Sequence, residues 1–246
     1  MRLSLRYSGV MTTILLTGSS RGIGAAAKAS LEARGAKVIG QATSSKAVDT
    51  APADFCEPGA PQEVWQAALA RAGGQIDVLV NNAGLFDPNP IDRSDIAWLD
   101  AWEDTMRINL TASAQLSRFA VKHWQERGFP GRIVHVASRA GHRGDSPAHW
   151  HYAASKGGML AMHKTIARQY AHQGILSFAI TPGFTDTAMA GDYLESRGGV
   201  GLLADIPLGR VAEPEEMARI ITFCALDAPA SMTGATLDAN GASYVR

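Results

Sequence analysis

The chain has 246 residues, 46% apolar and 19% charged, a composition that fits one large globular α/β domain and excludes a low-complexity or disordered chain. Its 23 Lys and Arg balance 23 Asp and Glu, and no long basic run is present, so no nucleic acid and no membrane is expected as partner. Two cysteines, Cys56 and Cys224, lack Cys or His neighbours at zinc-ligand spacing, which excludes a disulfide framework and a structural metal.

Residues 1–11 lack the apolar stretch of a signal peptide and read as a disordered extension, with the cytoplasm as the expected compartment. From residue 12 onward apolar strands alternate with helical runs in one uninterrupted domain, 12–246. Strands are expected at 12–17, 36–41, 51–55, 76–81, 132–138, 175–181 and 234–238. Helices are expected at 22–33, 60–72, about 97–127, 151–173 and 213–226. This order predicts a doubly wound parallel sheet of about seven strands with helices on both faces. The link 42–50 is short for a parallel crossover, and "ATSSKAVDT" is poor helix-forming sequence, so a loop or single helical turn is expected there.

After the first strand comes "TGSSRGIG", with glycines at 18, 22 and 24, and then an alanine-rich helix. Glycine permits a tight turn and close backbone approach, and the helix N-terminus offers unpaired N–H groups to a phosphate. Gly18, Ser20, Arg21, Gly22, Ile23 and Gly24 are therefore candidates to seat a dinucleotide pyrophosphate. Past the second strand, "GQATSSK" carries no acid to bind ribose hydroxyls and repel a 2′-phosphate. Arg21 and Thr43, with Ser44, Ser45 and Lys46 nearby, suit that phosphate instead. NADP(H) is accordingly the preferred cofactor, with NAD(H) as the alternative.

The same chain carries "NNAG" at 81–84, Asn109 in "MRINL", Ser138 in "IVHVAS", "YAASK" at 152–156 and "PG" at 182–183. In this order, with the glycine loop, they resemble the short-chain dehydrogenase/reductase family, most closely its 3-oxoacyl-acyl-carrier-protein reductase group. The resemblance implies a Rossmann-type fold and NADPH-dependent reduction of a small-molecule carbonyl to a secondary alcohol. Oxidation of an alcohol with NAD(P)+, and a non-catalytic NADP(H) sensor or scaffold, are the alternatives. It also implies a homotetramer or homodimer built on helices 97–127 and 151–173, with Gly157 and Gly158 permitting close helix approach.

Site roles follow from the resemblance and from chemistry. Tyr152 and Lys156 are four apart and share a helix face. The ammonium, with an oxidised nicotinamide, is expected to pull the phenol below its ordinary value of about 10, making Tyr152 the general acid/base. Ser138 would hydrogen-bond the reacting oxygen. The resemblance gives Lys156 a ribose contact and places Asn109 beside it in a water-linked proton relay. It assigns Asp54 to the adenine, and Asn82, Ala83 and Gly84 to the adenosine ribose. Pro182, Gly183, Thr185 and Thr187 go to the nicotinamide end. Substrate walls are expected from Phe184, Met189, Tyr193, His149 and Trp150, while Arg139, His142 and Arg143 read as solvated loop cations.

Overall fold

The computed structural model describes residues 11–44, 49–187 and 203–246. Residues 1–10 of the expected N-terminal extension, Ser45, Lys46, Met189 and Tyr193 lie outside those residues. Seven parallel strands form one sheet in the order β3-β2-β1-β4-β5-β6-β7. They are β1 (Thr13–Leu16), β2 (Lys37–Ala42), β3 (Thr50–Pro52), β4 (Val78–Asn81), β5 (Gly131–Val136), β6 (Ile175–Pro182) and β7 (Thr236–Ala239).

Every residue of β1 is buried because both sheet faces are covered. Ile14 and Leu16 face α1 (Gly22–Ala33) and α7 (Pro214–Thr222), in a cluster with Leu31, Val80, Phe178 and Ile221. Leu15 faces the opposite layer, with Val64 of α2 (Ala60–Arg71), Leu116 and Trp124 of α4 (Ala112–Arg127), and Ile166 of α6 (Trp150–Tyr170). The two-residue period of a strand thus divides three successive apolar residues between two cores. Strand order reverses between β1 and β4, and such a reversal opens a crevice at the carboxyl ends of the strands.

Several boundaries differ from expectation. β3 ends at Pro52, so Asp54 lies beyond the strand, and β5 ends at Val136, two residues before Ser138. The helix expected at 97–127 is α3 (Asp95–Met106), a π-helical turn at Arg107–Thr111, and then α4. Asn109 sits inside that widened turn, the kind of local irregularity that concentrates at functional sites. A single turn, α5 (Ala140–Arg143), follows Ser138 where a plain loop was expected.

The glycines of α6 make their close contacts within the chain. A Cβ on Gly158 would lie 2.7 Å from Leu110 Cδ2, and one on Gly157 would lie 3.3 Å from Gly141 O. Among the described residues no helix is long and apolar enough to cross a membrane, and no group of three or more metal-ligating side chains assembles. Cys56 and Cys224 are free thiols.

Candidate active site

The loop between β1 and α1 is fixed from three directions. Thr17 Oγ1 accepts from the backbone N–H of Asn82 at 2.9 Å and of Ala83 at 3.0 Å. Gly18 N donates to Gln41 Oε1 at 2.9 Å, and Gln41 Nε2 continues to Ala53 O at 2.8 Å. Asn82 Nδ2 donates to Thr17 O and Gly18 O, so this side chain holds the glycine loop from below.

The approach is close. Gly18 has φ +64°, and a Cβ there would lie 2.8 Å from Ala83 Cα; one on Gly24 would lie 1.9 Å from Gly18 O. α1 begins after Arg21 with no side-chain cap and no acid in its first turn. Its leading N–H groups and partial positive charge are therefore offered to the crevice, which fits a pyrophosphate.

Among the described residues, the expected cofactor contacts other than Ser44 border one cleft. Gly18, Ser20, Arg21, Gly22, Ile23 and Gly24 form its floor. Thr43 and Asp54 stand at one end, and Asn82, Ala83 and Gly84 along the middle. Pro182, Gly183, Thr185 and Thr187 close the other end, where Tyr152, Lys156 and Ser138 also reach the cleft. Thr187 spans the walls, its Cγ2 lying 3.0 Å from where a Gly22 Cβ would be. Arg21 and Thr43 are exposed, and Asp54 Oδ1 accepts from Cys56 N at 2.9 Å.

The candidate reacting groups lie just past β5 and on α6. The Ser138 hydroxyl accepts from Ala140 N at 3.1 Å and lies near the Tyr152 phenol, whose ionised form it favours. Lys156 Nζ donates to Val136 O at 2.9 Å and lies 5.7 Å from the centre of the Tyr152 ring. Burial governs the charge of both. It pushes the phenol up to about 12, opposed by the Ser138 hydroxyl and the Arg139 charge and reinforced by Asp145. The ammonium is lowered to about 8 by the same cause. Without a nicotinamide in the cleft, desolvation dominates the phenol; the expected lowering invoked the ammonium and the oxidised cofactor together.

Asn109 is fully buried behind the cleft. Its Oδ1 accepts from Leu85 N at 2.7 Å, while Nδ2 donates to Leu85 O and Ser155 Oγ. These bonds clamp the β4–α3 loop to α6.

Other groups were not assigned from the sequence. Gln41 occupies the position read only for its missing acid. Phe86 packs edge-on to Tyr152 at 4.6 Å and stacks on His149 at 4.1 Å. His149 therefore stands behind a wall formed by Phe86, and Trp150 is 56% exposed beside Trp98. Phe184 does line the cleft, with the Arg139 guanidinium 4.8 Å from its ring centre. Arg139 is buried, contrary to its reading as a solvated cation.

A family model described as enoyl-(acyl carrier protein) reductase matches residues 18–241. The 3-oxoacyl-[acyl-carrier-protein] reductases of Haemophilus influenzae and Escherichia coli are each 34% identical, covering 94% of this chain and 97% and 96% of their own. Acetoacetyl-CoA reductase of Rhizobium meliloti is 34% identical over 94% of this chain and 97% of its own. A solved structure from Agrobacterium tumefaciens, assigned as a 2-deoxy-D-gluconate 3-dehydrogenase with bound NADP, is 26% identical with a TM-score of 0.81. The likeness covers 94% of this chain and 95% of that one. With 34% identity along nearly its whole length, a matching family model and this sheet order, the chain belongs to the short-chain dehydrogenase/reductase family and is similar to its 3-oxoacyl-[acyl-carrier-protein] reductases.

Proposed function

We propose that the chain catalyses NADPH-dependent reduction of a ketone or 3-oxoacyl carbonyl to a secondary alcohol. The observation that carries this reading is the meeting of the Ser138 and Tyr152 hydroxyls at the cleft, with Lys156 behind the phenol. One oxygen atom can accept hydrogen bonds from both hydroxyls, which suits C=O rather than a C=C bond.

NADPH, when bound, supplies the hydride. Gly18–Gly24 and the N-terminus of α1 would hold its pyrophosphate, Arg21 and Thr43 its 2′-phosphate, and Asp54 and Asn82–Gly84 its adenosine. Pro182, Gly183, Thr185 and Thr187 would hold the nicotinamide end, with Lys156 on the ribose. Tyr152 gives its phenolic proton to the carbonyl oxygen as negative charge develops there, and Ser138 stabilises that charge through its O–H. A phenol held near 12 is protonated at neutral pH, which equips it as a donor. Asn109 positions Leu85 and Ser155, and through them the loop and helix that border the reacting groups.

The named activities of the relatives divide between neutral thioesters, as in acetoacetyl-CoA, and a sugar acid, and both are carbonyl/alcohol pairs. We further infer a cytoplasmic homotetramer, with a homodimer as the smaller assembly, which light scattering on the purified protein tests. Titration with NADPH and NADH, followed by cofactor oxidation against ketones, 3-oxoacyl thioesters and quinones, tests the activity. Tight NADPH binding with turnover of one class is the expected result. Absence of binding by either dinucleotide overturns the proposal.

A further inference from the structure

The sheet order sets β5 between β4 and β6, so the residues that follow these strands stand side by side along the cleft: Phe86 after β4, Ser138 after β5 and Phe184 after β6. The Phe86 ring is set against the phenol itself. It meets Tyr152 edge to face at 4.6 Å between ring centres, a contact that leaves no room for a substrate atom between the rings. It also stacks at 4.1 Å and 13° on His149, which is 2% exposed and hydrogen-bonded through Nδ1 to Ser146 Oγ at 2.6 Å. The backbone is pinned on both sides of this ring. Leu85 N donates to Asn109 Oδ1 at 2.7 Å and Leu85 O accepts from Asn109 Nδ2 at 3.0 Å, while Asn89 N donates to Ala148 O at 2.8 Å. Retreat of Phe86 from the cleft would therefore disturb the His149 stack or these bonds, and the half-buried ring is a fixed wall beside the proton donor.

We propose that Phe86 determines substrate class by capping one side of the carbonyl site, so that the substrate is an unsymmetrical ketone with a methyl-sized group toward Phe86 and its longer chain away from it. The inference rests on the carbonyl-reduction reading above and adds the shape of the substrate to it. A carbonyl carbon carries its two substituents in one plane with the oxygen, so a ketone whose oxygen is held at Tyr152 and Ser138 sends them to opposite sides. A wall that cannot yield accepts a methyl group and resists each further methylene. Hydride from NADPH adds to the carbonyl carbon and the Tyr152 proton goes to its oxygen, whichever way the ketone lies. The wall decides which face of the carbonyl meets the hydride, and hence which enantiomer of the secondary alcohol forms.

The test compares isomers that differ in the shorter arm on the carbonyl, 2-heptanone with 4-heptanone and butyl acetoacetate with ethyl 3-oxohexanoate, as substrates for the NADPH-loaded enzyme. Each ratio of kcat/KM is divided by the ratio of rates with borohydride, which carries the ketones' own reactivity. The methyl-flanked isomer is expected to lead by about tenfold or more, the factor that misfitting methylenes commonly cost in a closed pocket, and to yield one enantiomer in large excess. Phe86→Ala should cut that lead by about tenfold, by raising kcat/KM for the propyl-flanked isomer, and lower the enantiomeric excess. Misplacement of Tyr152 alone would lower kcat equally for both isomers and leave the ratio and the excess unchanged. If Phe86→Ala does not fold, Phe86→Leu should move both readouts in the same direction, and the wild-type ratio and enantiomeric excess decide by themselves. Isomers reduced alike by the wild-type enzyme, or a Phe86→Ala loss equal for both, overturn the inference and leave carbonyl reduction standing. NADPH bound but oxidised by no carbonyl compound removes the reduction reading and the inference with it.

Discussion

The glycine loop makes its sharpest quantitative demand at Gly24. An alanine methyl there would lie 1.9 Å from Gly18 O, 2.6 Å from Asn82 Nδ2 and 2.8 Å from Gly18 C. Ordinary carbon–oxygen contact is about 3.3 Å, so the Gly18 carbonyl or the first turn of α1 must move by more than about 1 Å. Two hydrogen bonds depend on that peptide region: Asn82 Nδ2 to Gly18 O at 3.1 Å, and Gly18 N to Gln41 Oε1 at 2.9 Å. Their loss costs about 1–3 kcal/mol together, and overpacking in a closed site adds about 1–3 kcal/mol.

Gly24→Ala should therefore lose about 2–6 kcal/mol, divided between fold stability and NADPH binding, because the displaced atoms are the walls of the proposed pyrophosphate site. Each 1.4 kcal/mol falling on binding weakens NADPH about tenfold. Calorimetric titration and thermal denaturation read the two shares separately. Gly35→Ala is the control: its φ of +79° brings strain, but no atom lies within 4 Å of the added methyl, so only stability should fall, by about 1 kcal/mol. A Gly24→Ala protein with unchanged melting temperature and NADPH affinity within about threefold of wild type would refute the assignment of this loop as a fixed phosphate cradle.

Tyr152→Phe should keep NADPH affinity and lose about a hundredfold or more in turnover, measured by cofactor oxidation; near wild-type rates would remove it from proton transfer. Arg21→Ala should weaken NADPH by about tenfold and NADH by less than about twofold, and equal losses would remove its role at the 2′-phosphate. Lys156→Met concerns stability. Burial lowers this lysine from 10.5 to about 8, so between those values the unfolded chain binds more protons and wild-type stability rises with pH. At pH 7 the buried charge costs about 3 kcal/mol, against about 1 kcal/mol from the Nζ–Val136 bond. In denaturant titrations the methionine variant should be more stable at neutral pH and lose that advantage above about pH 10; a gap that stays constant with pH would contradict the buried-charge account.

Much of the site was legible because its signals are local. The glycine spacing specifies a turn that only a β1–loop–α1 junction can use, and Tyr152 and Lys156 four residues apart need only a helix to share a face. The parts that escaped depend on distant packing. Gln41 matters because Gly18 and Ala53 lie on either side of it, from segments 23 and 12 residues away. Asn109 was found, but its widened turn and its clamp on Leu85 and Ser155 follow from how α3 and α4 meet α6. Arg139 reads in the sequence as one of three cations in a loop. Its burial follows from α5, which folds that loop back against Phe184 and Asp205.

The upward shift of Tyr152 has the same origin and bears on how the site works. Sequence shows which charges are close along a helix, whereas burial is the sum of everything packed around them. The phenol near 12 and the ammonium near 8 move in opposite directions for one reason: each surrounding disfavours the charged form. A phenolate–ammonium pair is therefore not what the chain's own residues stabilise. Protonated phenol beside Ser138 is the state they favour at neutral pH, and it is the state a carbonyl oxygen needs when it gains charge. Ionisation of Tyr152 then requires additional positive charge in the cleft, which only the oxidised nicotinamide of a bound cofactor would bring. The surroundings that disfavour charge on both groups thus leave the phenol a proton donor at neutral pH.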